Sequence, residues 1–154
     1  MNELNPFKLA EMLEELENTV ELHSISVRYK GETVVSGAWA PFSLEEPQMM
    51  HSLSKIGTSI CVGFAVDEGK IHLEDRFLDY VREDLPDKYD EALEDITVYD
   101  LLTMQAGSPE CCNNVWFSRL EKDWEKNWLS QPKLKQDIGK VFHYDSVCSY
   151  TLSR

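Results

Sequence analysis

The chain has 154 residues, 42% hydrophobic and 28% charged, which is the make-up of one ordinary globular domain with room for a real core. Its formal net charge of −13 repels phosphate, so nucleic-acid binding driven by counterion release has no electrostatic footprint here. The opening MNELNPFKLAEMLEELE has no basic segment leading into an apolar run, so no secretory leader is expected and the cytoplasm is the expected address.

Asn5-Pro6 reads as a helix cap followed by proline in the first turn. Leu9, Met12, Leu13, Leu16 and Val20 then fall on one helical face with glutamates opposite. Alternation takes over at Ile25, Val27 and Tyr29, a strand. Lys30-Gly31-Glu32 turns the chain, and Thr33 to Trp39 returns as the second strand of a hairpin. Pro41 to Pro47 is a loop.

Residues 52–68 form a helix that is apolar nearly all round, which predicts an interior position. Residues 49–66 approach the length of a membrane span, but Ser52, Ser54, Lys55, Thr58 and Ser59 argue against one. The stretch from Ile71 to Glu94 is acidic and mixed, loop with short helix. Thr97-Val-Tyr-Asp100 has the form of a capping box, with Asp where Glu or Gln is usual, and opens a short helix through Met104 that Gly107 could close. Phe117, Leu120, Trp124 and Trp128 share a face of another helix, a core face, and Pro132 follows its end. The pattern predicts an α+β unit: helix and hairpin over 1–47, then a helical region over 48–154.

Four cysteines (Cys61, Cys111, Cys112, Cys148) form no C-x-x-C pair, and the histidines at 23, 51, 72 and 143 have no zinc spacing. They read as buried or incidental thiols, with no metal implied.

Between Glu46 and Asp67, Lys55 is the only Asp, Glu, Lys or Arg. Ser52 stands three positions before it, a neighbour on a helix surface. A serine hydroxyl is a poor nucleophile until something takes its proton, and an adjacent amine or its charge can ease that loss. A helix N-terminus at Ser52 would add the positive end of the helix dipole. With thirteen serines and ten lysines, about one S-x-x-K match arises by chance, and a second does occur at Ser130-Gln-Pro-Lys133. There the proline inside the motif breaks the turn of helix that would join its ends. At Ser52 and Lys55 the bland reading is a helix cap and a lysine reaching solvent by its stem.

MHSLSKIGTSICVGFAVDEGKIHLEDRF, then ITVYDLLTMQAGS, then VFHYDS, together resemble the serine β-lactamase and penicillin-binding-protein superfamily, and within it the class C-like branch of β-lactamases, esterases and D-alanyl peptidases. The resemblance implies a β-lactamase-like α+β fold in which a serine of S-x-x-K opens a buried helix. It makes Ser52 the acylated nucleophile, Lys55 its activating amine and Tyr144 the general acid/base. Ser146 takes the polar, substrate-binding position usually given to Asn. Without the upstream motif, Tyr144 reads as one more aromatic beside Phe142 and His143.

The implied reaction is attack on the carbonyl of a small-molecule ester, lactam or D-Ala-type peptide, through an acyl-enzyme, with no metal or organic cofactor. Two departures stand out. Ala106 replaces the family's tight-turn serine and reads as a packing position. The third motif, K-T-G or H-x-G on a sheet strand, is absent, and the chain stops at Arg154 in the helix that should follow Tyr144. The expectation is therefore a truncated domain, impaired by about 3–4 kcal/mol of transition-state stabilisation if one oxyanion donor is lost. Its exposed strand edge and apolar helix face favour association with a missing half. The alternatives are an inactive fragment or binding module of that fold, and an unrelated small α+β domain.

Overall fold

The computed structural model describes residues 4–109 and 124–154. Cys111, Cys112, Phe117 and Leu120 lie outside the described residues. The chain divides into two compact units, one up to Met49 and one from Met50 onward.

In the first unit, α1 spans Pro6–Thr19, capped by the Asn5 side chain, which accepts from the backbone N–H groups of Phe7 and Lys8. Leu9, Leu13 and Leu16 are half-buried along its apolar face, while Met12 and Val20 are exposed. Strand β1 (Ser24–Tyr29) pairs antiparallel with β2 (Glu32–Ala38) in register Ser24 to Ala38 and Tyr29 to Glu32, with an irregularity between Val27 and Arg28. The turn works because Lys30 and Gly31 both take positive φ, 50° and 89°, which matches the right-handed twist of a two-residue hairpin. Among the described residues the sheet has these two strands alone.

In the second unit a 3-10 turn (His51–Ser54) leads into α2 (Lys55–Asp67), followed by α3 (Leu78–Val81) and further 3-10 turns at Arg82–Asp84 and Glu91–Asp95. Helices α4 (Val98–Leu102), α5 (Trp124–Ser130) and α6 (Ser146–Thr151), with a 3-10 turn (Lys135–Asp137) before α6, complete the described elements. The core lies among α3 to α6. Phe77, Leu78, Leu93, Ile96, Leu101, Ala106, Trp128, Leu129, Val147 and Cys148 are all but closed to solvent. Ala106 is thus a packing residue. The Phe77 and Trp128 rings meet edge to face, centroids 6.0 Å apart.

The expected interior position of the apolar helix is corrected. Only Val62 of α2 is buried, while Leu53, Ile56, Ile60 and Phe64 lie more than half exposed at helical spacing. Apolarity makes burial favourable, but burial needs a partner surface, and the core of this unit closes around α3 to α6. Cys61 is exposed on the same helix, and Cys148 is buried. No helix among the described residues is long and apolar enough to cross a membrane.

The capping box forms as the motif predicts. Thr97 Oγ1 accepts from the Asp100 backbone N–H, and Asp100 Oδ2 accepts from the Thr97 backbone N–H at 2.9 Å. The helix closes earlier than expected, however. Met104, at φ 55°, takes the left-handed position after the cap residue Thr103. Gly107 has a different task. At φ 66° it lets the chain pass against Leu134, whose backbone N–H donates to the Gly107 carbonyl at 2.8 Å. A Cβ there would sit 2.8 Å from both Leu134 O and Ile138 Cγ1. Gly107→Ala is expected to destabilise by about 2 kcal/mol or more, seen as a fall in Tm of about 4–8 °C. An unchanged Tm would show that this crossing is not under strain.

Candidate active site

Ser52 sits in the 3-10 turn rather than at the cap of α2, which corrects the expectation that it opens the α-helix. The residue before it, His51, has φ 46°, a left-handed backbone that a residue with a Cβ adopts only under strain. The Ser52 side chain caps no backbone N–H. Instead its Oγ accepts from Lys55 Nζ at 3.1 Å and from Tyr144 Oη at 2.6 Å. Lys55 is the first residue of α2, half-buried, and its stem folds back one turn to reach the serine. Its ammonium also lies 5.3 Å from the centre of the Tyr144 ring. Three residues separated by up to 92 positions therefore meet at one oxygen.

The electrostatics point the same way. Hydrogen bonding with Ser52, then Lys55, then Ser146 holds the Tyr144 phenol below its ordinary range, with the Lys55 charge adding to this against a smaller desolvation effect. Negative charge on the phenol oxygen is thus favoured beside Ser52 and Lys55. Ser146 is the first residue of α6, half-buried, and it faces Tyr144. All four residues singled out from the sequence are thus together, and Ser52 itself is open to solvent.

Tyr144 lies on the segment leading into α6, which is anchored to the loop after α4. His143 N–H donates to Met104 O at 2.9 Å, and Gly139 N–H donates to Gln105 O at 3.0 Å. The D-L-L-T-M-Q-A-G-S segment thus acts as the scaffold on which the F-H-Y-D-S segment lies.

Beneath Tyr144 is a cluster that sequence reasoning missed. Asp145 is buried, and its Oδ2 accepts from Trp128 Nε1 and from Ser108 Oγ, both at 2.7 Å. Its Oδ1 accepts from the Val147 backbone N–H at 2.9 Å and caps α6. The signal available was a cap-forming Asp at the start of a short apolar helix, but nothing local shows what its second oxygen does.

Lys133, of the second S-x-x-K match, stays apart from Ser130. The Ser130 hydroxyl donates to Lys126 O, whereas Lys133 Nζ donates to Trp128 O at 2.8 Å and lies 4.0 Å from the Trp128 ring centre. It is buried, and desolvation brings its amine down to about 8, moderated by the Asp145 charge.

A cavity of about 640 Å³ lies elsewhere in the second unit, walled by Cys61, Val62, Phe77, Val98, Leu101 and Leu152 among others. Its walls include none of Ser52, Lys55 or Tyr144; what marks their site is the convergence of hydrogen bonds on Ser52 Oγ.

Comparison with known proteins shows the family and the fold. The Beta-lactamase family model matches residues 20–152. Among solved structures, a protein from Bacillus anthracis described as a 6-aminohexanoate-dimer hydrolase superposes with a TM-score of 0.61 at 19% identity, over 92% of this chain and 40% of its own. The chain therefore spans well under half the length of that neighbour. No curated protein matches it.

Proposed function

The chain belongs to the β-lactamase family, and from that premise we propose that it carries the nucleophilic centre of a serine hydrolase acting on ester or amide carbonyls through an acyl-enzyme. The observation that carries the reading is the meeting of Lys55 Nζ and Tyr144 Oη on Ser52 Oγ, at 3.1 and 2.6 Å. With the phenol ionised, the 2.6 Å contact reverses and Ser52 becomes the donor. Ser52 Oγ attacks the carbonyl carbon as its proton passes to Tyr144 Oη, and the nearby Lys55 ammonium offsets the charge of the phenolate and of the intermediate. Collapse breaks the bond to the leaving nitrogen or oxygen, which takes the proton from Tyr144. Water then attacks the Ser52 ester, gives its proton to Tyr144, and the serine leaves with that proton. Ser146, beside Tyr144, is the proposed substrate contact.

A fluorophosphonate or penicillin-type probe followed by intact-mass measurement tests the proposal. The folded protein should gain one adduct, mapped to the peptide containing Ser52. A second reading, a binding module or inactive portion of the fold, draws on the solvent exposure of Ser52. Folded protein that takes no adduct would favour it and overturn the first.

A further inference from the structure

We propose that Asp145 is the positioning residue of this site: clamped by Trp128, Ser108 and the Val147 N–H, it fixes the short extended segment that presents Tyr144 and Ser146 toward Ser52. The inference rests on the acyl-transfer reading for its consequence and on geometry for its substance. Asp145 has an extended backbone, φ −140° and ψ 112°. Successive side chains along extended backbone point to opposite sides. Asp145 turns into the core while its neighbour Tyr144 turns the other way to reach Ser52, with Ser146 near enough to help hold the phenol below its ordinary range.

A helix cap alone would need one carboxylate oxygen, and Oδ1 already supplies it to Val147. The second oxygen takes two side-chain donors, Trp128 from α5 and Ser108 from the loop after α4, which lie 17 and 37 positions away. Trp128 Nε1 is also 3.2 Å from Ser108 Oγ, so the three groups form a closed triangle. Both donors are buried, and Trp128 is wedged against Phe77. The carboxylate is therefore held from three directions, and the adjoining residues inherit its placement. Tyr144 is only partly buried and has no such clamp of its own. A displacement of about 1 Å at the reacting groups costs on the order of a hundredfold in rate.

The test uses Trp128→Phe, which keeps the ring and removes the N–H, and Asp145→Asn, which can satisfy one side of the carboxylate site but not both. Asp145→Ala removes the acceptor of the Ser108 hydroxyl and the Val147 N–H and leaves Trp128 only its longer contact with Ser108, so it could fail to fold and is not needed. Two readouts are taken on folded protein: the rate of probe labelling, separated into kinact and KI, and the Tyr144 titration, obtained as the tyrosinate absorbance difference against Tyr144→Phe. In both variants kinact should fall by about 10–100-fold with KI little changed, and the Tyr144 titration should move up toward that of an ordinary tyrosine. Labelling and titration both unchanged in folded Trp128→Phe and Asp145→Asn would overturn the proposal. If wild-type protein takes no label but its Tyr144 titration still moves up in the variants, the acyl-transfer reading fails while Asp145 is supported as the residue that places Tyr144.

Discussion

Ser52→Ala should abolish covalent labelling, and Tyr144→Phe should slow it by about 10²–10⁴-fold, the usual worth of a positioned proton-transfer group. The two variants separate chemistry from folding because neither side chain supports the core. Ser52 is exposed and Tyr144 half-buried, so each exchange should change stability by no more than about 0.5 kcal/mol. The phenyl ring of the Tyr144 variant can still lie beside the Lys55 ammonium, which leaves the lost oxygen as the principal difference.

The pH profile adds an independent check. Interaction with Ser52, Lys55 and Ser146 holds the Tyr144 phenol below its ordinary value, so the phenolate proposed as proton acceptor for Ser52 forms at lower pH than in a free tyrosine. Labelling should therefore climb with pH to a midpoint below the ordinary tyrosine value of 10.0, and Tyr144→Phe should lose that limb. Equal labelling by Tyr144→Phe and wild type at every pH would remove Tyr144 from the mechanism.

The second large effect lies in stability. The Lys133 amine is buried and titrates near 8 in the folded chain against 10.5 for a free lysine. Below about 8 both folded and unfolded chains hold the proton, and the full penalty of burying the charge is present. Between about 8 and 10.5 the unfolded chain holds a proton that the folded chain has released, so stability rises with pH across that window. The gain from this one group is on the order of 3 kcal/mol.

Lys133→Met retains the bulk against Trp128 and removes the titration, although Trp128 O loses its donor. Urea unfolding of both proteins at a series of pH values isolates the effect, because other titrating groups, such as Tyr80 near 12, are common to the pair. The stability of the variant relative to wild type should be highest at pH 7 and decline by roughly 3 kcal/mol by pH 11. A difference that stays constant with pH would mean that Lys133 keeps an ordinary lysine titration in the folded state.

Much of the local structure was legible in the residues themselves. The spacing of Leu9, Leu13 and Leu16, the alternation of Ile25, Val27 and Tyr29, the Lys30-Gly31 turn and the Thr97–Asp100 box each express geometry that repeats within four positions, and each element formed. The Ser52–Lys55 pairing belongs to the same class, since three residues of helical backbone suffice to bring them together. Tyr144 was legible only as the third of three ordered motifs.

Tertiary structure alone decided the rest. It put the Tyr144 oxygen on Ser52 across 92 positions, and turned Asp145 inward to meet donors from two distant segments. It also buried Lys133, a residue type that composition places at the surface, and left one face of the apolar helix α2 uncovered. It assigned the left-handed turn after α4 to Met104, where glycine at 107 was the cheaper candidate. The physical reason is common to all five. Side-chain pattern sets what a segment can form by itself, whereas burial, exposure and long-range hydrogen bonding depend on which other segments arrive beside it.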